Sequence, residues 1–224
     1  LKVKITLSII LAEIMTTAFG NEQPSFDMHL WSLTGLVFKE LLVGAALGYA
    51  MNMIFYAVRF AGGLLDFDIG FQTALLFDQK ADVPTLIGEL KNMIALMVFL
   101  GMNGHHFMIE AMFASLRAVP LSEFAVTESS ITLLIRLVTT VTIIAIKIAS
   151  PVLLSLFIMN VSLALLSRVA PQLNIFTLSM QFKVIVGLIV LFLTIPLFLE
   201  KNKNAMSSFQ SEAFKVVMAL NPKR

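Results

Sequence analysis

The sequence contains no cysteine among its 224 residues. This absence excludes disulfide bonds, iron–sulfur clusters and thiolate zinc sites, and it gives no signal about the redox compartment. Charge is also scarce, because only 13% of the residues are charged and the formal net charge is +2. No lysine or arginine cluster is interleaved with aromatic residues, so the sequence does not indicate a nucleic-acid partner.

The sequence also lacks the patterns that carry catalysis. No glycine-rich phosphate loop with a following Lys-Ser or Lys-Thr is present, and the serines of the apolar segments have no His and Asp arrangement nearby. His105 and His106 are adjacent, and adjacent helical side chains point about 100° apart, so they are poor joint ligands for a metal. We therefore predict no catalytic residue, no cofactor site and no metal site.

What the chain has in abundance is apolar sequence. Hydrophobic residues make up 58% of it and the mean hydropathy is +0.90, whereas a soluble domain is about 45–50% apolar. No Pro/Gly/Ser-rich linker divides the chain. The sequence therefore predicts an all-α, membrane-associated protein, with residues 1–224 forming a single domain.

Six apolar segments predict the helices, and residues 200–224 form a polar, basic tail. Several segments are too long or too short for one bilayer crossing of about 20 residues. Charged residues such as Lys147 recur inside them, at a cost in lipid unless they are paired or hydrated. We therefore expect many helices to pack against partner subunits, and we leave open whether Pro151 kinks its segment or splits it into a hairpin. The segments are residues 5–19, 30–60, 85–104, 107–119, 131–167 and 175–199.

The stretch of residues 59–84 interrupts the apolar sequence and is not an ordinary loop. It begins with Gly62 and Gly63, which give the backbone freedom. It then mixes carboxylates such as Asp66 and Asp68 with many large apolar side chains. It is too acidic to span a bilayer and too apolar for a solvated linker. This pattern is typical of irregular backbone packed inside an assembly or lining a water-filled cavity. We therefore interpret the stretch as the functional segment of the protein.

Three residues of the second segment indicate helix packing. Gly44 and Gly48 form a small-xxx-small pair, which lets two helices approach closely. Glu40 lies deep in apolar sequence, and we expect it to pair with a cation or with a partner subunit rather than to perform chemistry.

Two further groups are candidate contact residues. Glu110 and Arg117 lie seven residues apart on one face of a predicted amphipathic helix, where a solvated face and a contact with a partner subunit are both open. Pro171, Gln172 and Asn174 form a short interruption, which is more often used to satisfy exposed backbone at a helix break than to bind a ligand.

Four blocks of the sequence together resemble one known family. They are KELLVGAALGYAM (residues 39–51), the AGG…IGFQ region (61–72), MNGHHFMIEAMFASLRAVPL (102–121) and LLSRVAPQLNIFTLSMQFKVIVGL (165–188). In this order they resemble the FliR family, the flagellar biosynthesis proteins of the type III export gate. The APQLNIF block is the most specific of them, and the injectisome counterpart of FliR shares it.

The resemblance implies a non-enzymatic subunit without a cofactor. It implies that one copy joins FliP and FliQ, with FlhB as a further partner, in a helical assembly through which unfolded flagellar proteins pass. That assembly lies in the bacterial inner membrane at the centre of the flagellar basal body, in contact with membrane lipid and partly on the periplasmic side. Because the family normally begins with an apolar segment before residues 5–19, we expect an N-terminal segment to be missing.

The resemblance also implies a pore plug, with Gly62 and Gly63 as its hinge. The alternative is a loop that packs between helices and has no gating role. Asp66 and Asp68 stand where the family commonly has apolar or amide residues. The predicted plug residues are Ile69, Gly70, Phe71, Gln72, Thr73, Ala74, Leu75, Leu76, Phe77 and Asp78.

Three alternative functions are open at this point. The nearest is the same role in a virulence injectisome. A small secondary transporter would be a different class, but the chain shows no internal repeat and no midplane ion site. An intramembrane enzyme would need catalytic groups that the sequence does not show.

Overall fold

The computed structural model describes residues 2–19, 30–72, 85–118, 128–172 and 174–219. Within these residues the chain forms seven α-helices and no strand, which confirms the all-α prediction. The helices are α1 (Lys2–Phe19), α2 (Leu30–Ile69), α3 (Leu86–Gly101), α4 (Gly104–Ala118), α5 (Glu128–Val169), α6 (Ile175–Leu193) and α7 (Ile195–Ala219).

The chain folds into two compact units. Unit one comprises Leu1–Met51, His105–Ile135 and Gln210–Arg224, and unit two comprises Asn52–Gly104 and Arg136–Phe209. All the contacts that position the candidate site lie within unit two.

Helix α2 is longer than its sequence pattern predicted. It runs for 40 residues to Ile69, so the prediction that it ends at residue 60 is wrong. The helix continues because Gly62 is packed against a neighbouring helix and because the carboxylate of Asp66 has hydrogen-bond donors there. The residues read from sequence as the start of a loop therefore belong to the helix.

Helix α5 contains Pro151 but is neither split nor turned into a hairpin, since it runs unbroken for 42 residues. Proline has no N–H, so the carbonyl of Lys147 loses its helical partner. The hydroxyl of Ser150 donates to that carbonyl at 3.1 Å. This local substitute satisfies the freed oxygen and lets the helix continue.

The last apolar segment is broken where the sequence predicted one helix. Helix α6 ends at Leu193, and α7 begins at Ile195 with Pro196 in its first turn, a position that proline tolerates. The two helices are bent by 58° at this break. Helix α7 then continues to Ala219, so the described part of the predicted C-terminal tail is helical.

The core of unit two is an apolar cluster from five helices. It is built on small residues of α2 and α5, which let the helices approach closely, and on larger side chains between them. The central members are Ala57, Val58, Ala61, Leu65, Ile69, Ile87, Ala95, Ala145, Ile148, Ala149, Val152, Leu156, Leu191 and Phe198. This cluster fixes α2, α3, α5, α6 and α7 around the candidate site.

Among the residues that the structure describes, two helices have the length and composition to cross a membrane, over Trp31–Ile69 and Ile135–Val169. The number rises to four if each of two bent helix pairs, α3 with α4 and α6 with α7, counts as one span. Large apolar side chains are exposed along these helices, with Trp31 at 88% and Val169 at 83%. Such surfaces are typical of contact with lipid or with another protein.

Candidate functional site: the base of the loop between α2 and α3

The segment that joins α2 to α3 is closed at its base by a buried carboxylate. Asp66 of α2 is fully buried. Its oxygens accept hydrogen bonds from the backbone N–H of Ile87 at 3.0 and 3.1 Å and of Gly88 at 3.4 Å. These N–H groups belong to the first turn of α3. The N–H groups of a first turn have no carbonyl partner inside their own helix. Asp66 therefore caps α3 from a neighbouring helix.

The residue in the ordinary N-cap position of α3 does not cap the helix. Thr85 immediately precedes α3 and makes no capping hydrogen bond with its side chain. The first turn of a helix carries a partial positive charge, which favours an anionic partner. Asp66 thus supplies both the hydrogen-bond acceptors and the negative charge that the start of α3 requires.

Two glycines bring the backbones of α2 and α3 into direct contact. A Cβ atom on Gly62 would overlap the backbone of Gly88, and one on Gly88 would meet Thr85 and the carbonyl oxygen of Arg59. Any larger residue at Gly62 would push α3 away from α2. This close approach is what carries the N–H groups of Ile87 and Gly88 to the carboxylate of Asp66.

The end of α2 is also fixed against a third helix. Ile69 is 1% exposed. A Cβ atom built on Gly187 of α6 would lie 2.7 Å from two of its side-chain carbons. We use the term loop base for this arrangement. Its residues are Gly62, Asp66 and Ile69 of α2, Thr85, Ile87 and Gly88 at the start of α3, and Gly187 of α6, which contacts Ile69.

The chain leaves α2 at Gly70. This residue has φ = 99°, a left-handed conformation that favours glycine. Its N–H donates to the carbonyl of Asp66 at 3.1 Å, which ends the helix. Phe71 follows and is partly buried against the core of unit two.

Only part of the predicted plug lies within the described residues. Ile69, Gly70, Phe71 and Gln72 are described, and Gly70 to Gln72 are each partly exposed. The other predicted plug residues, 73–78, lie outside the described residues. The predicted hinge residues Gly62 and Gly63 lie inside α2, and their role as a hinge stays a prediction.

Unit two also buries polar groups near the start of α3. Lys91 is 5% exposed, and its Nζ lies 4.9 Å from the centroid of the Phe198 ring of α7. An ammonium over an aromatic face is a favourable arrangement. Asn202, one turn further along α7, is fully buried, and neither polar atom of its side chain has a hydrogen-bond partner among the described residues. The core therefore keeps these polar groups at a cost in stability.

The packing residues predicted in the first half of α2 do not belong to the loop base. A Cβ atom on Gly44 or Gly48 would meet no described atom within 4 Å. Gly44 is exposed, and Glu40 and Gly48 are partly buried. The close helix approach predicted at these two glycines is not made within the described part of the chain, and a contact with another subunit stays a prediction.

The predicted contact residues Glu110 and Arg117 belong to α4, in unit one. The two histidines at the start of α4 lie in the same unit. Glu110 is exposed, whereas the side chain of Arg117 lies outside the described residues. His105 and His106 are exposed, and their ring centroids are 4.3 Å apart. No group of three or more metal-ligating side chains is found in the described ranges.

The short break between α5 and α6 is an exposed turn. Pro171 and Gln172 lie in it. Asn174 is the residue before α6, and its side-chain oxygen accepts a hydrogen bond from the N–H of Thr177 at 3.4 Å. This side chain thus caps α6, as asparagine commonly does at helix starts.

Sequence reasoning named Asp66 but did not assign it a partner, and it passed over Gly88 and Gly187. One signal was available. A carboxylate inside an apolar helix needs hydrogen-bond donors, and the start of α3 at Leu86 offers free N–H groups. The partners of Gly88 and Gly187 depend on tertiary packing, for which the sequence has no local signal.

The sequence matches the family described as "Bacterial export proteins, family 1" over residues 1–209. Since the match covers nearly the whole chain, this chain belongs to that family of bacterial export proteins.

The curated relatives agree with the predicted resemblance. The flagellar biosynthetic protein FliR of Pectobacterium carotovorum is 30% identical over 200 residues, covering 88% of this chain and 75% of that protein. The FliR protein of Bacillus subtilis is 30% identical over 176 residues, covering 77% and 68%. The Yop proteins translocation protein T of Yersinia pestis is also 30% identical over 176 residues, covering 77% and 67%. The resemblance to the FliR family is therefore confirmed.

Proposed function

We propose that this chain is a non-enzymatic membrane subunit of a flagellar type III protein export gate. The observation that carries the proposal is the match to the bacterial export family over residues 1–209, together with the FliR relatives. In this role the chain closes an assembly with FliP and FliQ, with FlhB as a further partner, in the bacterial inner membrane within the basal body. Unfolded flagellar proteins pass through that assembly.

Within the assembly, the loop that follows α2 is the pore plug. The loop base supports this proposal, because it holds both ends of the loop in one place while the segment between them spans residues 70–85. A segment that seals a pore reversibly needs two fixed ends and a central part that can move. Gly70 is left-handed, and a Cβ atom built on it would meet no described atom within 4 Å, so this residue is the pivot in our account. Weak contacts of the loop are enough for a reversible seal, since a switch needs a gap of only a few kcal/mol.

The second candidate function is the same role in a virulence injectisome. It is favoured by the 30% identity to the Yop proteins translocation protein T. The genes that are transcribed together with the gene for this chain distinguish the two roles, because a flagellar subunit is expected beside flagellar genes.

The test of the subunit proposal is co-purification. The full chain, carrying an affinity tag, is co-expressed with the FliP- and FliQ-type proteins of the same genome and extracted in mild detergent. We expect a stable complex that contains all three proteins, and we expect the chain expressed alone to aggregate, because its exposed apolar helices lack partners. A chain that purifies alone as a single, well-dispersed species and does not bind those proteins would contradict the proposal and favour the transporter alternative.

A further inference from the structure

Helix α6 carries a single charge in an otherwise uncharged part of the chain. Lys183 is the one charged residue among residues 169–199, which lie between Arg168 and Glu200. It stands about 12 Å along the helix axis from Ile175 and about 15 Å from Leu193, the two ends of α6. Both distances exceed the reach of a lysine side chain, so its ammonium group cannot extend past either end. Lys183 is therefore a charge held within an apolar helix.

The surroundings of Lys183 supply no opposite charge. The residues three and four positions away on α6, which are its neighbours on the helix surface, are Ser179, Met180, Val186 and Gly187, and none of them is charged. No side chain in the described ranges forms an ion pair with Lys183. A charge in apolar surroundings is costly unless it is paired or hydrated. The described part of the chain therefore leaves this ammonium group without a carboxylate.

The side of α6 around Lys183 is open to another molecule. Lys183 is partly buried, and its neighbours Phe182 and Ile185 are 44% and 55% exposed. Met180 is also 44% exposed, although it lies on the same side of α6 as Gly187, which contacts α2. The packing against α2 therefore loosens toward the start of α6. The ammonium group of Lys183 lies at the margin of an exposed apolar surface.

We propose that Lys183 pairs with a carboxylate on an apolar helix of a neighbouring subunit, and that Phe182 and Ile185 pack against the same helix. The inference rests on the proposed role of the chain as one subunit of a larger assembly. A carboxylate supplies the opposite charge that an ammonium group in an apolar contact needs. A lipid headgroup fits this position poorly, because headgroups lie at the boundaries of an apolar helix rather than in its middle.

The first test is carbodiimide cross-linking of the full chain in its detergent-solubilised complex with the co-expressed FliP- and FliQ-type proteins. A carbodiimide joins an amine to a carboxylate in contact with it, with the loss of one water, and mass spectrometry identifies the joined residues. We expect a product that joins Lys183 to an aspartate or glutamate of another subunit. Lys183→Arg should remove this product while the complex still assembles, because a guanidinium group keeps the charge but does not form the amide.

The second test removes the charge. Lys183→Met leaves the partner carboxylate without its cation in an apolar contact, so we expect subunit association to weaken at least about tenfold, measured as the partner protein retained on dilution. Lys183→Arg should retain the association, which separates lost charge from misfolding. Lys203→Met is the matched control, because it makes the same substitution at an exposed lysine of α7, and it should change nothing.

Three results would overturn the proposal. The first is a Lys183→Met complex as stable as the wild-type complex, which would show that the ammonium group has no paired carboxylate. The second is a cross-link from Lys183 to a carboxylate of its own chain, or none to another subunit. The third is a wild-type chain that binds no other subunit, which would overturn the proposed function as well, whereas the first two results leave that function standing.

Discussion

Both carboxylate oxygens of Asp66 lie within 3.1 Å of the backbone nitrogen of Ile87. The two residues are 21 positions apart in the chain, so this contact ties the last turns of α2 to the first turn of α3. The segment between them is thereby closed at its base. Helices α2 and α3 are held together by the buried carboxylate of Asp66 and by the contact of Gly62 with Gly88.

The first prediction concerns this carboxylate. Replacing Asp66 with Ala leaves the N–H groups of Ile87 and Gly88 buried without an acceptor, which costs about 1–3 kcal/mol. We expect a lower thermal midpoint of the detergent-solubilised complex and faster proteolysis in residues 73–84. Asp68→Ala is the control, because it removes a partly exposed carboxylate two residues away. An Asp66→Ala variant as stable and as protease-resistant as the control would contradict the capping role.

A second prediction compares two neighbouring glycines. Gly62→Ala should destabilise the fold by about 1–3 kcal/mol, because its Cβ would overlap the backbone of Gly88 and force the helices apart. Gly63→Ala should be neutral or slightly stabilising, because its nearest neighbour is the methyl group of Thr85 at 3.4 Å and alanine favours a helix. Thermal unfolding of both variants checks this. Equal effects of the two changes would show that the backbone contact is unimportant.

A third prediction concerns the contact of Ile69 with Gly187. Gly187→Ala alone should destabilise by about 1–3 kcal/mol through overpacking, and Ile69→Ala alone by about 2–5 kcal/mol through a cavity. The double variant should be more stable than the sum of these losses by about 0.5–3 kcal/mol, because the smaller side chain makes room for the new methyl group. The measurement is a double-mutant cycle by thermal or denaturant unfolding.

The control for this cycle pairs Ile69→Ala with Gly44→Ala. A Cβ atom on Gly44 meets no described atom within 4 Å, so these two effects should add. A coupling in the control as large as that between Ile69 and Gly187 would mean that the cycle does not report the contact.

A fourth prediction distinguishes a pivot at Gly70 from the hinge predicted at Gly62 and Gly63. The test introduces cysteines at Gly63 and Thr85, because a Cβ atom on Gly63 would lie 3.4 Å from the side-chain methyl carbon of Thr85. The sequence has no other cysteine to interfere. We expect export of flagellar proteins to continue when the pair is oxidised, because the base stays closed while the loop moves. Export that stops on oxidation and returns with reductant would show that the base opens, as a hinge at Gly62 and Gly63 requires. Each single-cysteine variant serves as the control.

Much of the helical frame could be predicted from the sequence. Six apolar segments correspond to helices, because long apolar runs in a chain with little charge have few other ways to satisfy their backbone. The polar turn around Pro171 was also placed correctly. The errors fall where tertiary contacts decide the outcome. Gly62 and Gly63 suggest a break, yet the helix continues there because the missing side chain of Gly62 admits α3.

Two further features have local causes that periodicity does not show: the sequence left open how Pro151 acts, and it did not predict the break at Thr194. Pro151 lies inside an unbroken helix because the hydroxyl of Ser150 replaces the missing donor. Thr194 ends α6 although apolar residues surround it, and its hydroxyl donates to the carbonyl of Val190 at 2.8 Å. At the candidate site, the sequence named the acidic and apolar residues of the loop region. It could not show that Asp66 binds the start of α3, because that contact depends on how two distant helices pack.

The most direct test of the central claim is ion leak across the membrane of cells that carry a deletion of residues 70–77, with the partner subunits co-expressed. The deletion spares Asp66 and Ile69, so the loop base should remain and the complex should still assemble. We predict that the complex co-purifies and that leak rises well above that of the wild-type complex. An assembled complex whose membrane stays tight would contradict the plug, and loss of assembly would show that the loop belongs to the structural frame.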